Sequence, residues 1–344
     1  MVQRVRALVV DDSAFMRRVI SDILNSDPEI DVIGYARNGE DAVKKVYDLR
    51  PDVVTLDVEM PRLNGLGALS QIMQENPTPV VMLSAYTDRG RRETIEALEL
   101  GAVDFIAKPS GEISLHLEEL KGEILTKVKI AARTKVRKLA EIVKHRPAKL
   151  QARRTDGMRK LVVIGASTGG PKAVLEILSK LPSNLPACFL IVQHMPGGFT
   201  TSFAKRLNSK SRLRVEEAKN GAALSQGVAY VAPGDYHMLV NGSSLNVVGG
   251  LKLHGVRPAI DFTMESAAIK YGENAVGVLL TGMGIDGAAG MKAIKERGGL
   301  TIAQDEETSL VFGMPRAAIN LGCVDEVLPL HKIPDRLTLL LEAS

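Results

Sequence analysis

The chain has 344 residues, 45% of them hydrophobic and 24% charged, with two cysteines, no tryptophan and a net charge of +4. At about 150 residues per domain this length predicts two domains, each able to bury its own core, and the composition excludes collagen-like, disordered and disulfide-stapled classes. The charge is uneven: residues 111–160 hold 14 basic against 6 acidic side chains, whereas residues 1–110 hold 13 against 18 and residues 161–344 hold 17 against 16. A basic connector with no aromatic residue fits a solvated spacer better than a nucleic-acid surface.

Cys188 and Cys323 lack a CxxC spacing or neighbouring ligands, so reduced thiols are expected. The apolar run Ala7–Val10 stops at Asp11-Asp12, too early for a signal-peptide core, and no segment approaches the roughly 18 apolar residues that cross a bilayer. These features predict a cytoplasmic protein without direct membrane insertion.

Along the first hundred residues, short β-rich apolar runs alternate with amphipathic stretches, which predicts a parallel sheet wrapped by helices. Strands are expected at Val5–Val10, Val32–Tyr35, Val53–Leu56, Val80–Leu83 and Val103–Ala107, with helices near 14–25, 39–49, 65–75, 89–100 and 112–124. Leu117, Leu120, Ile124 and Val128 keep helical spacing, so the last helix is expected to run on into the connector. Residues 144–159 are basic and aperiodic and are read as the linker. A second α/β alternation follows, with strands near 161–164, 188–193, 228–232, 237–240, 245–248 and 275–280, and helices near 171–180, 199–208, 259–271 and 287–297.

Asp11 and Asp12 follow the first predicted strand, Asp57 the third, Ser84 the fourth and Lys108 the fifth. In a doubly wound sheet of order 2-1-3-4-5, strands one and three meet at the switch point, where ligands bind beyond the strand ends. Three carboxylates in one crevice suit a Mg²⁺ ion that also meets a phosphoryl oxygen. Asp57 is then a carboxylate nucleophile toward phosphorus, with Lys108 and Ser84 holding the remaining oxygens. Any one Asp after a strand is more simply a turn or cap residue, but caps do not explain five such residues at five matching positions.

The stretch Val-Val-Asp11-Asp12-Ser, Leu-Asp57-Val-Glu-Met-Pro, Ser84-Ala and Asp-Phe105-Ile-Ala-Lys108-Pro109 resembles the receiver domain of bacterial response regulators over roughly residues 1–120. The resemblance implies a flavodoxin-like fold, phosphorylation of Asp57 by a histidine kinase, a Mg²⁺ site completed by the Glu59 backbone carbonyl, and switch positions at Ser84 and Phe105.

In the second half, Leu161 to Pro171 reads as strand, glycine turn and helix with proline at its first position, and Gly165-x-Ser167-x-Gly169 fits a nucleophile elbow. Glycine turns of this kind also cradle phosphates, so a dinucleotide site competes. That alternative wants an acidic residue after the next strand, where Gln193 is followed by His194 instead. Asp286 sits in another strand-to-helix glycine turn, either as a helix cap or as the residue that orients a histidine. Ser167, His194 and Asp286 together form a triad in an order foreign to α/β-hydrolases, which implies convergent chemistry on a separate fold. Oxyanion donors are expected from the start of helix 171–180, beside Thr168, Gly169 and Gly170, or from the turn holding Met283 and Gly284. Surface roles suit His116, His145, His254 and His331, and His237 stays unassigned.

Residues 161–330 resemble the catalytic domain of chemotaxis receptor methylesterases (CheB type) through Gly-Ala-Ser167-Thr-Gly-Gly, Gln-His194-Met-Pro, Arg257-Pro258-Ala-Ile-Asp261, Thr-Gly-Met283-Gly-Ile-Asp286-Gly and Ala-Gln304-Asp305-Glu306. The resemblance implies a receiver at 1–124, a helical extension and basic linker at 125–159, and a doubly wound, mainly parallel α/β hydrolase-like domain at 160–344. It further implies hydrolysis of γ-glutamyl methyl esters on chemoreceptor cytoplasmic helices, deamidation of receptor glutamines, no cofactor for the esterase step, and a monomer. By the same resemblance the unphosphorylated receiver restrains the enzyme and phosphorylation releases it.

Overall fold

The computed structural model describes residues 4–108, 117–134 and 158–343. The chain divides into two compact units, Met1–Val143 and Lys144–Ser344. The expected passage from helical extension to linker falls on residues 135–157, outside the described residues, as do His116 and His145. No helix among the described residues is long and apolar enough to cross a membrane.

The first unit runs β1 Val5–Val10, α1 Ala14–Asn25, β2 Ile30–Ala36, α2 Gly39–Leu49, β3 Val53–Asp57, α3 Gly65–Glu75, β4 Val80–Ser84, α4 Asp88–Leu100, β5 Asp104–Ala107 and α5 Leu117–Ala132. Its sheet is parallel in the order β2-β1-β3-β4-β5. Every residue of β3 and β4 is buried, which accounts for their unbroken apolar runs: a central parallel strand is covered on both faces. Ser13, Asn38, Asn64 and Thr87 start α1 to α4 by accepting the N–H of Met16, Asp41, Gly67 and Gly90. Register fixes the rim. Val10 faces Leu56 and Ser84 faces Ala107, so Asp11 and Asp57 emerge side by side, with Ser84 and Lys108 beyond them.

The second unit runs β6 Lys160–Ala166, α6 Gly170–Lys180, β7 Ala187–Gln193, α7 Phe199–Lys210, β8 Arg214–Glu217, β9 Val228–Val231, β10 His237–Asn241, β11 Ser244–Val248, α8 Ile260–Tyr271, β12 Ala275–Leu279, α9 Ala288–Glu296, β13 Leu300–Gln304, α10 Met314–Asn320, β14 Glu326–Leu328 and α11 Ile333–Glu342. Seven strands form a parallel sheet in the order β14-β13-β12-β6-β7-β9-β8, and β10 with β11 make a separate antiparallel hairpin. The sequence did not predict β8, β13, β14, α10 or α11. β8 and β14 are sheet-edge strands of four and three residues, with too little burial to create an alternation. β13 is a short apolar run that periodicity cannot separate from helix.

Leu161, Val163, Leu190 and Val192 pack in one core with Ile260 and Met264 of α8 and Met291 and Ile294 of α9. Cys188 and Cys323 are buried free thiols, and burial pushes Cys188 up to about 12.

Candidate functional site

In the first unit, carboxylate oxygens of Asp11, Asp12 and Asp57 lie within 4.8 Å of one another. Lys108 Nζ bridges two of them, 2.8 Å from Asp11 Oδ2 and 2.8 Å from Asp57 Oδ1. Burial raises Asp57 to about 6 against the pull of Lys108, and the Asp11 charge adds to the rise. Burial opposes the charge on Lys108, but the two carboxylates outweigh it and hold the ammonium above its ordinary value. Lys108 meets two of the three carboxylates, Arg17 lies on the backbone carbonyls of Asp11 and Asp12, and the rim's donors are hard oxygens of the kind Mg²⁺ takes. The Glu59 N–H bonds to Asp57, while its exposed side chain accepts from Thr87 at 3.1 Å.

Ser84 is fully buried, with its hydroxyl 2.7 Å from Thr94 Oγ1 and 3.3 Å from the Ala85 carbonyl, so it engages the middle of α4 through Thr94. Phe105 is buried, with Lys127 Nζ 5.3 Å from its ring centre. Lys127 is also held by Glu123 at 2.7 Å and Asp104 at 3.4 Å. Thr94 and Lys127 escaped the sequence reading because their partners lie 10 and 22 residues away, and no local pattern marks them.

In the second unit, β6 lies between β12 and β7, so three strand ends stand together. Ala166 faces Gln193 across β6 and β7, and the His194 N–H donates to Ala166 O at 3.1 Å. On the other side, Ser167 N–H donates to Thr281 O at 3.0 Å. Ser167 and His194 are thus adjacent strand-end residues, and the turn carrying Asp286 begins beside them. His194 Nε2 is 2.7 Å from Asp286 Oδ2, with the imidazole 10% and the carboxylate 2% exposed. Burial opposes ionisation of Asp286, but His194 and the N–H groups of Ile260 and Asp261 hold it below the ordinary carboxylate range.

The sequence left Asp286 as either a helix cap or a partner of a histidine; it is both, for different elements. Its own helix α9 starts at Ala288, after Gly287, which has no side chain to cap it. The carboxylate accepts from Gly287 N at 3.1 Å, just ahead of α9, and also from Ile260 N at 2.7 Å and Asp261 N at 3.1 Å, the opening residues of α8.

Gln193, immediately before the histidine, went unremarked in the sequence. Its Nε2 lies 2.9 Å from Ser167 O and 3.2 Å from His194 O, so a single amide bridges the two backbones. Its buried Oε1 crowds Gly170, where a Cβ would stand 2.1 Å away. Gly169 caps α6 at φ +77°, a left-handed conformation that costs glycine little. Gly170 N–H donates to Ser167 O at 2.7 Å and Gly282 N–H to Val311 O at 3.0 Å, so neither is directed at a substrate. Met283 and Ile285, 46% and 56% exposed, lie in the turn that ends at Asp286.

His237 is buried and structural: Nδ1 accepts from Ala259 N at 3.2 Å, and Nε2 lies 3.0 Å from Leu251 O. His254 is at the surface as expected, yet its Nε2 lies 3.3 Å from buried Asp261.

Residues 162–337 match the family model of the CheB methylesterase, and residues 7–118 match the response regulator receiver domain. The protein-glutamate methylesterase/protein-glutamine glutaminase of Pyrococcus abyssi is 54% identical over 341 residues, covering 97% of this chain and 92% of that protein. Its counterpart in Pyrococcus horikoshii is 53% identical, with 97% and 93% covered. The crystal structure of the Thermotoga maritima CheB methylesterase catalytic domain matches with a TM-score of 0.51 and 46% identity, over 54% of this chain and 100% of that one. The chain belongs to the CheB methylesterase family and carries a response regulator receiver domain ahead of the catalytic one.

Proposed function

We propose that this chain hydrolyses γ-methyl esters of glutamate on the cytoplasmic helices of chemoreceptors, releasing methanol, and deamidates selected receptor glutamines. The site of action proposed is the cytoplasm. The observation that carries the reading is the 2.7 Å contact of His194 Nε2 with buried Asp286, beside Ser167 on the neighbouring strand end.

With the Nε2 proton directed at Asp286, Nδ1 is the basic nitrogen of His194 and accepts the Ser167 hydroxyl proton. Ser167 Oγ bonds to the acyl carbon, His194 returns that proton to the departing methoxide, and methanol leaves a glutamyl ester on Ser167. Water then attacks with His194 again as base, and the Ser167 oxygen recovers the proton as the glutamate side chain is freed. A glutamine side chain follows the same course with ammonia as the first product. The N–H groups of Met283 and Gly284 are the proposed oxyanion donors, each typically worth about 3 kcal/mol. The relatives' names, protein-glutamate methylesterase and protein-glutamine glutaminase, support glutamate methyl esters and glutamines of proteins as the substrate class.

Control is proposed to run through phosphorylation of Asp57 by a histidine kinase. Asp11, Asp12, Asp57 and the Glu59 backbone carbonyl are the residues that would hold Mg²⁺, which when bound offsets charge on the incoming phosphoryl oxygens. Lys108, already against Asp57, would follow the phosphoryl group as its counter-charge.

The test is methanol release from methylated receptor membranes. Ser167→Ala should lose about 10⁴-fold or more in rate, and near-wild-type release would refute the nucleophile.

A further inference from the structure

Helices α8 and α9 both begin without a side-chain cap of their own, at Ala259 and Gly287. Each is capped by the other's carboxylate. Asp286, two residues before the start of α9, accepts from Ile260 N and Asp261 N of α8. Asp261, in the first turn of α8, accepts through one oxygen from Gly287 N at 2.8 Å and Gly290 N at 2.8 Å. Helix N-termini leave several N–H groups unsatisfied, and a carboxylate answers both that deficit and the positive end of the helix dipole.

The exchange is possible because the two helices nearly touch. A Cβ at Gly290 would stand 2.5 Å from Met264 Cβ and 3.2 Å from the Asp261 Cα. At Gly287, φ is +92° and a Cβ would meet Leu279 at 2.5 Å and Ile260 at 3.0 Å. The second oxygen of Asp261 is not spare, since it faces His254 Nε2 at 3.3 Å.

We infer that Asp261 is a positioning residue of the esterase, fixing through the start of α9 the one backbone and rotamer setting in which Asp286 meets His194. The inference rests on the proposed role of Asp286. Asp286 holds one of its oxygens to both His194 and Ile260, so a drift of the α9 start moves the imidazole partner directly. Asp261 prevents that drift by tying Gly287, the residue after Asp286, back to α8. Its own place depends in turn on the bond from Asp261 N–H to Asp286, so the two carboxylates lock each other. Burial and the neighbouring Asp286 charge raise Asp261 above the usual carboxylate range, and the N–H groups of Gly290 and Gly287 oppose that rise. What the position supplies in the geometry is an acceptor oxygen that takes two N–H groups at 2.8 Å.

The experiment compares wild type, Asp286→Asn, Asp261→Asn and Asp261→Ala in the full chain by steady-state methanol release, with folding checked by circular dichroism. Asn keeps an oxygen that can accept from Gly287 and Gly290, so Asp261→Asn should retain kcat within about threefold. Ala leaves the Gly290 N–H without that acceptor and the Gly287 N–H with Asp286 Oδ1 at 3.1 Å alone, and should lower kcat about 10- to 100-fold at unchanged KM, the size of effect a misplacement near 1 Å produces. Wild-type kcat in folded Asp261→Ala overturns the inference. If Ala does not fold, Asp261→Asn decides alone, because a loss as deep as that of Asp286→Asn would show that the charge is used and not the cap. Full activity in Asp286→Asn would instead defeat the triad on which the inference rests.

Discussion

His194 meets Asp286 through Nε2 and Oδ2 at 2.7 Å, and the same carboxylate oxygen accepts the N–H of Ile260 at 2.7 Å. The group proposed to orient the base is thus pinned by a helix terminus and cannot rotate away without abandoning it. Asp286→Asn should lower methanol release about 10⁴-fold, because an amide cannot accept from both the imidazole and α8 in the same way. The carboxylate is held below its ordinary range, so its contribution to stability is complete above about pH 4 and is lost as pH falls through the depressed folded value. Acid unfolding of the Asn variant, followed by circular dichroism, should lack that part of the wild-type pH dependence.

Gln193 joins the carbonyls of Ser167 and His194 with one amide nitrogen. Gln193→Leu removes the shared donor from the His194 carbonyl and leaves Ser167 O with the Gly170 N–H, at about 1–3 kcal/mol of stability. Urea unfolding measures that loss. The rate of methanol release should fall about tenfold or more even where the protein is fully folded, since the proposed nucleophile and base are no longer tied. An unchanged rate would show that the strands alone hold the pair.

Asp57 is raised from 3.8 to about 6 chiefly by burial. Its folded value lies above its unfolded one, so the neutral form favours folding: stability is full below about pH 4 and falls as pH rises toward 6. The shift corresponds to at most about 3 kcal/mol. Asp57→Asn should flatten this slope in denaturant unfolding between pH 4 and 7, and should abolish the gain in esterase rate given by a small phosphodonor with Mg²⁺. A variant that still responds to the phosphodonor would place the phosphoacceptor elsewhere.

Asp12 is the exposed member of the three-carboxylate rim, and Lys108 bridges the other two. Mg²⁺ should raise the melting temperature of the wild-type protein by mass action, as for any ligand of the folded state. Asp12→Ala should weaken that response and slow phosphorylation while leaving esterase activity without phosphodonor unchanged. Equal Mg²⁺ stabilisation in both proteins would remove Asp12 from the metal site.

Much of the receiver was legible in the sequence because a parallel strand buried on both faces writes itself as an unbroken apolar run, and its polar rim residues follow at once. Asp11, Asp57, Ser84 and Lys108 could be placed at strand ends for that reason. Ser167 and His194 were proposed by the same rule, as the residues that follow β6 and β7, and Asp286 from the glycine turn between β12 and α9. Edge strands β8 and β14 were not, since a strand with one covered face and three or four residues carries almost no pattern.

Local order along the chain therefore determined which residues stand at the ends of strands, and so which chemistry the protein has at its disposal. What it left open was how those residues are held. Whether Asp286 caps a helix or serves a histidine depended on the approach of α8 to α9, which Gly287 and Gly290 permit and which no spacing between positions 261 and 286 encodes. Likewise the Gln193 bridge and the Lys127 contact with Phe105 join elements distant in the chain. Hydrogen bonds of this kind act over about 3 Å in space, and only the packing of the folded chain decides which groups come that close.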